Sequence, residues 1–290
     1  MAAIELLVAV ADHGSLSAGA RAVGMAQPNA TRSIARLERR LGVPLLHRST
    51  AGSTITPAGL LVVDWSRQLL ASARSLLDGA ATLAVDGTAT LAVAASQTIA
   101  EHLLPRWLSE FRARHPETRV TVGVHNTESV LDRVRRGRCD LGFVEGPRAP
   151  RDVHHATVAQ DELVLVAAPD HPWAGRRKPV TTAELTQAGL VTREQGSGTR
   201  TALEAALGGP VQAVLALTSN AAVRVAVQAG TGPAVLSRYA VHDAVGAGTL
   251  VEIPAQGLPI TRSLRAVWAG PRRLTGPAAE LLAVARRTDS

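Results

Sequence analysis

The sequence has almost no cysteine and no long run of apolar residues, and both absences exclude classes of protein. Cys139 is the single cysteine among 290 residues, so no intrachain disulfide can form and a cysteine-based metal site is not expected. No stretch approaches the roughly 18 apolar residues that span a bilayer. Glu5, Asp12 and His13 interrupt the start of the chain, where a signal peptide would be apolar. The cytoplasm is therefore the expected location, with no membrane partner.

Aromatic residues and lysine are also scarce. Aromatics make up 2% of the chain and hydrophobic residues 46%, so leucine, valine and alanine must fill a sizeable core. The net charge of +7 suits a polyanionic partner. Lys178 is the only lysine, however, and arginine dominates the whole chain, so the charge reflects composition as much as function. The length fits two domains, one of which can be split into two lobes.

The start of the chain has the pattern of a helix-turn-helix. Residues 2–13 read as a short helix ended by Gly14, and a second short helix follows before Gly24. A third helix is predicted over 27–41, with one apolar face and one polar, basic face. Two helices joined by a tight glycine-containing turn, the second with a basic face, are typical of this DNA-binding motif.

The next two segments predict a β-wing and a long linker helix. Residues 44–56 are rich in serine, threonine and glycine after a short apolar start, which fits a small β-hairpin. From Pro57 a helical pattern with a stripe of leucines continues to about residue 86. A long, apolar-striped helix between domains predicts a homo-oligomer, because symmetric dimers read symmetric DNA sites.

The polar face of the third helix carries the residue types that read DNA. Arginine, glutamine and asparagine bind base edges with two hydrogen bonds, and hydroxyls and arginines contact phosphates. For any single arginine the alternative is an ordinary solvated surface residue, and Glu38, Arg39 and Arg40 are interpreted as surface or dimer-contact charges. The predicted residues for binding double-stranded operator or promoter DNA are Gln27, Pro28, Asn29, Thr31, Arg32, Arg36 and, in the wing, Arg48.

The second part of the chain alternates short apolar segments with helical ones. Strands are predicted at 91–95, 119–124 and 140–144, with helices at 100–114 and 129–136 between them. The same alternation continues to the C-terminus. Strands that alternate with helices indicate an α/β domain with a largely parallel sheet.

Several segments resemble the LysR family of transcriptional regulators. The resemblance implies an N-terminal all-α winged helix-turn-helix with a long linker helix, and a C-terminal two-lobed α/β sensor domain like periplasmic binding proteins. It favours a homotetramer over a homodimer. Ser96-Gln97-Thr98, Glu145-Gly146-Pro147 and residues 194–200 are most similar to the branch of sulfur-assimilation and carbon-fixation regulators. The family match is carried by residues 9–20 (AVADHGSLSAGA), 27–38 (QPNATRSIARLE), 41–48 (LGVPLLHR), 56–59 (TPAG), 103–105 (LLP), 115–116 (HP) and 137–142 (GRCDLG).

The chain departs from the family pattern at a few positions. Ala26 replaces the serine that usually precedes the Gln-Pro pair, and Asn29 replaces a usual alanine on the face predicted to meet DNA. Leu7 and Leu46 stand where the family usually has an aromatic residue. These departures bear on DNA sequence preference and affinity rather than on the fold.

The resemblance and the pattern together give the expected domains. The winged helix-turn-helix covers residues 1–56, the linker or dimerisation helix 57–86 and the effector-binding domain 87–290. Within the last, lobe I is expected at about 87–161 and 266–290, and lobe II at about 162–265.

Polar residues follow several predicted strands at their carboxyl ends, where open α/β sheets bind ligands. Hydroxyls, backbone N–H groups and an arginine at these ends suit a carboxylate, sulfate or phosphate, so the predicted effector is a small anionic metabolite. Glu145 would instead receive an effector hydroxyl or amine. The alternative for each residue is an ordinary helix cap or loop residue. The predicted effector-binding residues are Ser96, Thr98, Asn126, Thr127, Glu145, Ser197, Thr199 and Arg200.

Other chemistry fits the sequence less well. No catalytic residues, cofactor or metal are expected, because the Gly-Ser-Gly-Thr run at 196–199 is not a P-loop and the histidines lack ligand spacing. Cys139 is interpreted as a small buried residue, with a redox-sensing thiol as the alternative. The competing functions are a cytoplasmic solute-binding protein and an enzyme that uses a phosphate-bearing ligand. The helix-turn-helix argues against the first, and the missing nucleophile–base–orienter set against the second.

Overall fold

The structure, a computed structural model, describes residues 1–49, 52–83 and 89–287. The chain divides into two units, one built mainly from residues 1–80 and the other from most of the remaining chain.

The first unit contains three helices, a hairpin and a long helix. The strands of the hairpin pair antiparallel, with Leu46 opposite Ile55. In chain order the elements are α1 (Ala2–His13), α2 (Leu16–Ala22), α3 (Gln27–Leu41), β1 (Leu46–Ser49), β2 (Gly52–Ile55) and α4 (Pro57–Leu83). The predicted end of the long helix, at residues 86–88, lies outside the described residues.

Local chemistry explains how α1 and α2 end and cross. Gly14 ends α1 in the left-handed conformation that glycine adopts without strain. Ser15 caps α2, because its side chain accepts a hydrogen bond from the N–H of Ala18 at 3.2 Å. A Cβ on Gly19 would lie 2.7 Å from the backbone nitrogen of Val10. The two helices can therefore approach this closely only with glycine at position 19.

An acidic side chain ties α3 to the hairpin. Glu38, interpreted from the sequence as a surface or dimer-contact charge, accepts hydrogen bonds from the N–H of Leu45 at 2.8 Å and of Leu46 at 3.1 Å. These bonds fix the wing relative to the third helix. The apolar core beneath them contains Leu6, Leu7, Val10, Leu16, Ala20, Ala30, Ile34, Leu45, Leu46 and Val63.

The second unit is a mixed α/β domain with two lobes. In chain order its elements are β3 (Thr90–Ser96), α5 (Gln97–His102), α6 (Leu104–Arg114), β4 (Arg119–His125), α7 (Thr127–Arg135), β5 (Leu141–Gly146), β6 (His154–Ala167), α8 (Thr182–Gln187), β7 (Leu190–Arg193), α9 (Gly198–Leu207), β8 (Ala213–Leu217), α10 (Asn220–Gln228), β9 (Ala234–Ser237), α11 (Arg238–Gly246), β10 (Val251–Glu252), β11 (Ile260–Trp268) and α12 (Gly276–Arg287). Lobe I comprises β3 to β5, α5 to α7 and α12. Lobe II comprises α8 to α11 and β7 to β10, and the paired strands β6 and β11 run through both lobes.

The main sheet is mixed, which corrects the prediction of a largely parallel one. Its seven strands lie in the order β10-β6-β11-β5-β3-β4, with β9 also paired to β6. β3 pairs parallel with β4 and β5, but β11 pairs antiparallel with β5 and β6. Alternation along the sequence shows which elements follow one another. Strand direction depends on partners about a hundred residues away.

The helix predicted over residues 100–114 is two helices, α5 and α6. Pro105 is the reason, since proline lacks an N–H and its ring clashes with a preceding helical turn. The structure accommodates it in the first turn of α6. Lobe I packs around Trp107, Phe111 and Phe143, which are fully buried, and lobe II has its own apolar core on the other half of β6 and β11.

Candidate DNA-binding face and effector cleft

The open side of α3 carries the predicted DNA-binding residues. Ala30 and Ile34 are buried against the core, so the opposite face of the helix meets solvent. The side chain of Arg48, in β1, lies outside the described part of the chain. On α3, Thr31 is half-buried and the exposed members of the set are Gln27, Pro28, Asn29, Arg32 and Arg36.

Arg32 and Asn29 are held side by side near the N-terminal end of α3. The Nη2 of Arg32 donates to the Oδ1 of Asn29 at 2.8 Å, and its Nε donates to the carbonyl of Pro28 at 3.4 Å. A guanidinium and an amide are thus presented together at the end of a recognition helix that enters the major groove. An open groove on this face is lined by Asn29, Arg32, Ser33, Ala35, Arg36 and Arg39.

The predicted effector-binding residues of lobe I surround Glu145. Its carboxylate accepts a hydrogen bond from the hydroxyl of Ser96 at 3.2 Å. Its backbone carbonyl accepts one from the hydroxyl of Thr127 at 2.9 Å. Ser96, Thr98 and Glu145 are each at most 2% exposed, so these polar groups belong to the interior of the domain and not to its surface loops.

The N-terminal end of α9 brings residues of lobe II against lobe I. The amide of Asn126 donates to the carbonyl of Gln195 at 3.4 Å, and the N–H of Glu128 donates to the carbonyl of Gly196 at 3.1 Å. A Cβ on Gly198 would overlap the carbonyl oxygen of Glu145. The two lobes meet this closely because position 198 is glycine.

Arg200 and Ser197 differ from their predicted roles in an informative way. Arg200 pairs with Glu204 one turn along α9, at 2.8 Å, and not with the residues around Glu145. Ser197 precedes α9 but makes no capping bond. Its hydroxyl is buried and has no hydrogen-bond partner among the residues that the structure describes. A buried, unpaired hydroxyl is costly, so it is available to a ligand.

Sequence reasoning missed the residue that joins the two lobes, Arg262 on β11. Its Nη1 donates to the hydroxyl of Thr199 at 3.0 Å and its Nη2 to that of Thr98 at 3.2 Å. The signal was strand parity: Arg262 shares the face of Leu264 and Ala266, which are buried. An arginine on the apolar face of an alternating strand needs an internal partner.

That partner is Asp161 on the adjacent strand β6. One carboxylate oxygen lies 2.8 Å from the Nε and 2.7 Å from the Nη2 of Arg262, and the other accepts a hydrogen bond from Ser237 at 2.9 Å. Burial raises the pKa of the Asp161 carboxyl, and the nearby guanidinium partly offsets this effect. Parity could also have identified Asp161, since it shares a face with the buried Leu163 and Leu165.

A second buried arginine, also missed, supports the cleft from lobe II. The Nη1 of Arg193 donates to the side-chain oxygen of Asn220 at 2.7 Å, and the amide of Asn220 donates to the hydroxyl of Thr98 at 3.4 Å. Thr98 is therefore bonded from both lobes and from the strand between them. Among the described residues, no group of three or more His, Cys, Asp and Glu is placed to hold a metal ion.

The environment of Cys139 disfavours the redox-sensing alternative. Burial raises the pKa of its thiol to about 12, and the neighbouring carboxylate of Asp140 adds to the rise. A thiol reacts as its thiolate. We therefore expect alkylation of Cys139 by iodoacetamide at pH 8 to be slower than that of a free cysteine by on the order of a thousandfold. Mass spectrometry of native and urea-unfolded protein measures this, and rapid labelling of the native protein would contradict it.

A helix-turn-helix with a polar recognition helix, joined to a two-lobed domain with a buried polar cleft, defines a ligand-responsive DNA-binding protein. Residues 1–60 match the family model described as bacterial regulatory helix-turn-helix protein, lysR family, and residues 86–290 match the LysR substrate binding domain. The chain belongs to the LysR family of transcriptional regulators, with a DNA-binding and an effector-binding domain. Among the described residues, no helix is both long and apolar enough to cross a membrane.

Named relatives agree with this assignment. An uncharacterised HTH-type transcriptional regulator of Mycobacterium tuberculosis is 41% identical over 282 residues, 92% of this chain and 90% of the relative. The RuBisCO operon transcriptional regulator of Allochromatium vinosum is 29% identical over 95% of this chain and 91% of its own, in line with the predicted resemblance to carbon-fixation regulators. Both are named as regulators, so the solute-binding and enzyme alternatives are not favoured.

A solved structure is similar to the second unit. The regulatory domain of Synechocystis PCC6803 CcmR in complex with 2-PG has a TM-score of 0.62 and 27% identity, and the match covers 69% of this chain and 96% of that domain.

Proposed function

We propose that this regulator binds operator DNA through α3 and the wing, and that a small anionic effector controls it from the cleft between lobes I and II. The observation that carries the DNA-binding part is the exposed Asn29–Arg32 pair on a helix whose other face is buried. The reading residues are those predicted from the sequence, Gln27, Pro28, Asn29, Thr31, Arg32, Arg36 and Arg48. Because it acts on DNA, we also propose the cytoplasm as its location.

The buried polar groups of the cleft support the effector part of the proposal. Hydroxyls of Ser96, Thr98, Ser197 and Thr199 gather where β3 ends and α9 begins, next to the guanidinium of Arg262. Hydroxyls beside a helix N-terminus and an arginine favour an anion. The complex of CcmR with 2-PG makes 2-PG a reasonable first compound to test. Effector binding would change how lobes I and II close, and thereby the affinity for DNA.

Removing the N-terminal part tests the regulatory function in cells. We expect a chain lacking residues 1–86 to lose all control over the genes beside its own, as measured by their transcript levels against cells that carry the full chain. A truncated chain that still controls those genes would contradict the proposal.

We further propose that the protein is a homodimer or homotetramer that assembles in part through α4. Leu61, Trp65 and Leu69 recur every four residues along this helix and are 58%, 63% and 49% exposed. Residues four apart share one helix face, so α4 presents an apolar stripe. An exposed apolar stripe on a long helix is typical of helix–helix association.

A glutamate in this stripe should separate the protomers. We expect Leu61→Glu to weaken association at least about a hundredfold, because each copy loses about 1.5–3 kcal/mol of apolar burial and gains a charge. Leu41→Glu, the same change at an exposed leucine at the end of α3, is the matched control. Sedimentation across a concentration series measures both variants. Equal association of Leu61→Glu and wild type would remove α4 from the interface.

A further inference from the structure

The buried charges of the cleft carry an inference about the effector that rests on the proposed function. Arg262 is the cation at its centre, with a fully buried side chain. Asp161 occupies one edge of the guanidinium with two contacts, at 2.7 and 2.8 Å. The carboxylate of Glu145 lies 3.4 Å from Nη1 on another edge and is also buried. One buried cation thus faces two buried carboxylates.

The donors around this cluster suit an anion. The hydroxyl oxygens of Thr98 and Thr199 accept hydrogen bonds from Arg262, so each hydroxyl hydrogen can be donated to a further acceptor. The hydroxyl of Ser197 is buried without a partner among the described residues. Three hydroxyls and a guanidinium therefore face the same space from both lobes.

Glu145 restricts which anions can use these donors. A second negative group beside a buried carboxylate is disfavoured by like-charge repulsion in a site with little water to screen it. Asp161 is already held by Arg262 and Ser237, whereas the contact of Glu145 with Arg262 is longer. An effector that brings its own hydrogen-bond donor to Glu145 relieves this repulsion, and a plain anion does not.

We propose that Arg262 anchors the anionic group of the effector and that Glu145 selects anions that carry a hydroxyl or ammonium group next to it. The effector class is therefore hydroxy acids, amino acids or similar small molecules. Simple inorganic anions and unsubstituted carboxylates are selected against.

Titration calorimetry of the full-length protein with three probes tests this selection. Glycolate carries a hydroxyl beside its carboxylate, acetate lacks it, and sulfate is an anion without a donor. Wild type should bind glycolate at least about tenfold more tightly than acetate or sulfate. Glu145→Gln removes one like charge, so it should bind sulfate at least about tenfold more tightly than wild type and lose the preference for glycolate over acetate. Glu128→Gln, the same change at an exposed residue of the cleft rim, should bind as wild type does.

Arg262→Lys tests the anchor, because it keeps the charge but loses the forked hydrogen bonds. It should bind all three probes at least about tenfold more weakly. Equal sulfate affinity of wild type and Glu145→Gln would overturn the proposal, also when Arg262→Lys does not fold. Absence of binding by all three probes to Glu145→Gln would overturn it as well. Gel-shift binding to the upstream DNA, measured on the same samples, tests the regulator function separately.

Discussion

Replacing Arg32 with alanine is expected to lower the affinity for operator DNA at least about tenfold, since one bidentate base contact discriminates by about 1–3 kcal/mol. The reason lies in α3, where Asn29 and the carbonyl of Pro28 hold the guanidinium of Arg32 at the exposed N-terminal end. Fluorescence anisotropy with the native site and a scrambled duplex measures the change. The loss should be larger for the native site, because a base contact carries sequence information.

Arg40→Ala is the matched control on the same helix. It removes the same charge from an exposed position outside the groove that Asn29, Arg32 and Arg36 line. It should change affinity less than about threefold and equally for both duplexes, as expected of a general electrostatic contribution. If Arg32→Ala and Arg40→Ala weakened binding equally, the helix would attract DNA by charge alone, and α3 would not be the reading element.

Replacing Asp161 with alanine is expected to destabilise the second unit by about 3–5 kcal/mol, because it leaves the buried guanidinium of Arg262 without its carboxylate. Glu162→Ala, the adjacent residue on β6, should cost less than about 1 kcal/mol. Its carboxylate pairs with Arg238 at 2.9 Å on the surface, where the two side chains are 43% and 44% exposed. Urea unfolding followed by circular dichroism compares the two variants.

A double variant separates charge from packing. Asp161→Ala combined with Arg262→Leu leaves no buried charge unpaired, so it should recover part of the loss. Equal unfolding midpoints for Asp161→Ala and Glu162→Ala would show that the pair at the centre of the cleft does not hold the strands β6 and β11.

The helix-turn-helix could be read from the sequence because its signals are local. Gly14 and Gly42 end helices in the left-handed conformation, Pro28 lies in the first turn of α3, and the apolar positions repeat within a few residues. The same applies to Pro57 at the start of α4. The role of Glu38 was misread because its partners, Leu45 and Leu46, are backbone groups beyond the end of its own helix.

The centre of the cleft could be predicted only in part. Ser96, Thr98 and Ser197 were found because polar residues after strands are a local pattern. Arg262 and Asp161 were missed, since their importance comes from pairing across 101 residues, which no short segment reveals. Their place on the buried faces of alternating strands was visible, and a charged residue at such a position deserves the same weight as a motif.

Binding of the purified full-length protein to the intergenic DNA upstream of its own gene tests the central claim most directly. The measurement compares that duplex with a scrambled one across a salt series. A LysR-type regulator that reads DNA through α3 should bind the native duplex tightly and lose affinity steeply as salt rises, with much weaker binding to the scrambled duplex at every salt concentration. A folded protein that binds neither duplex at low salt would contradict this account.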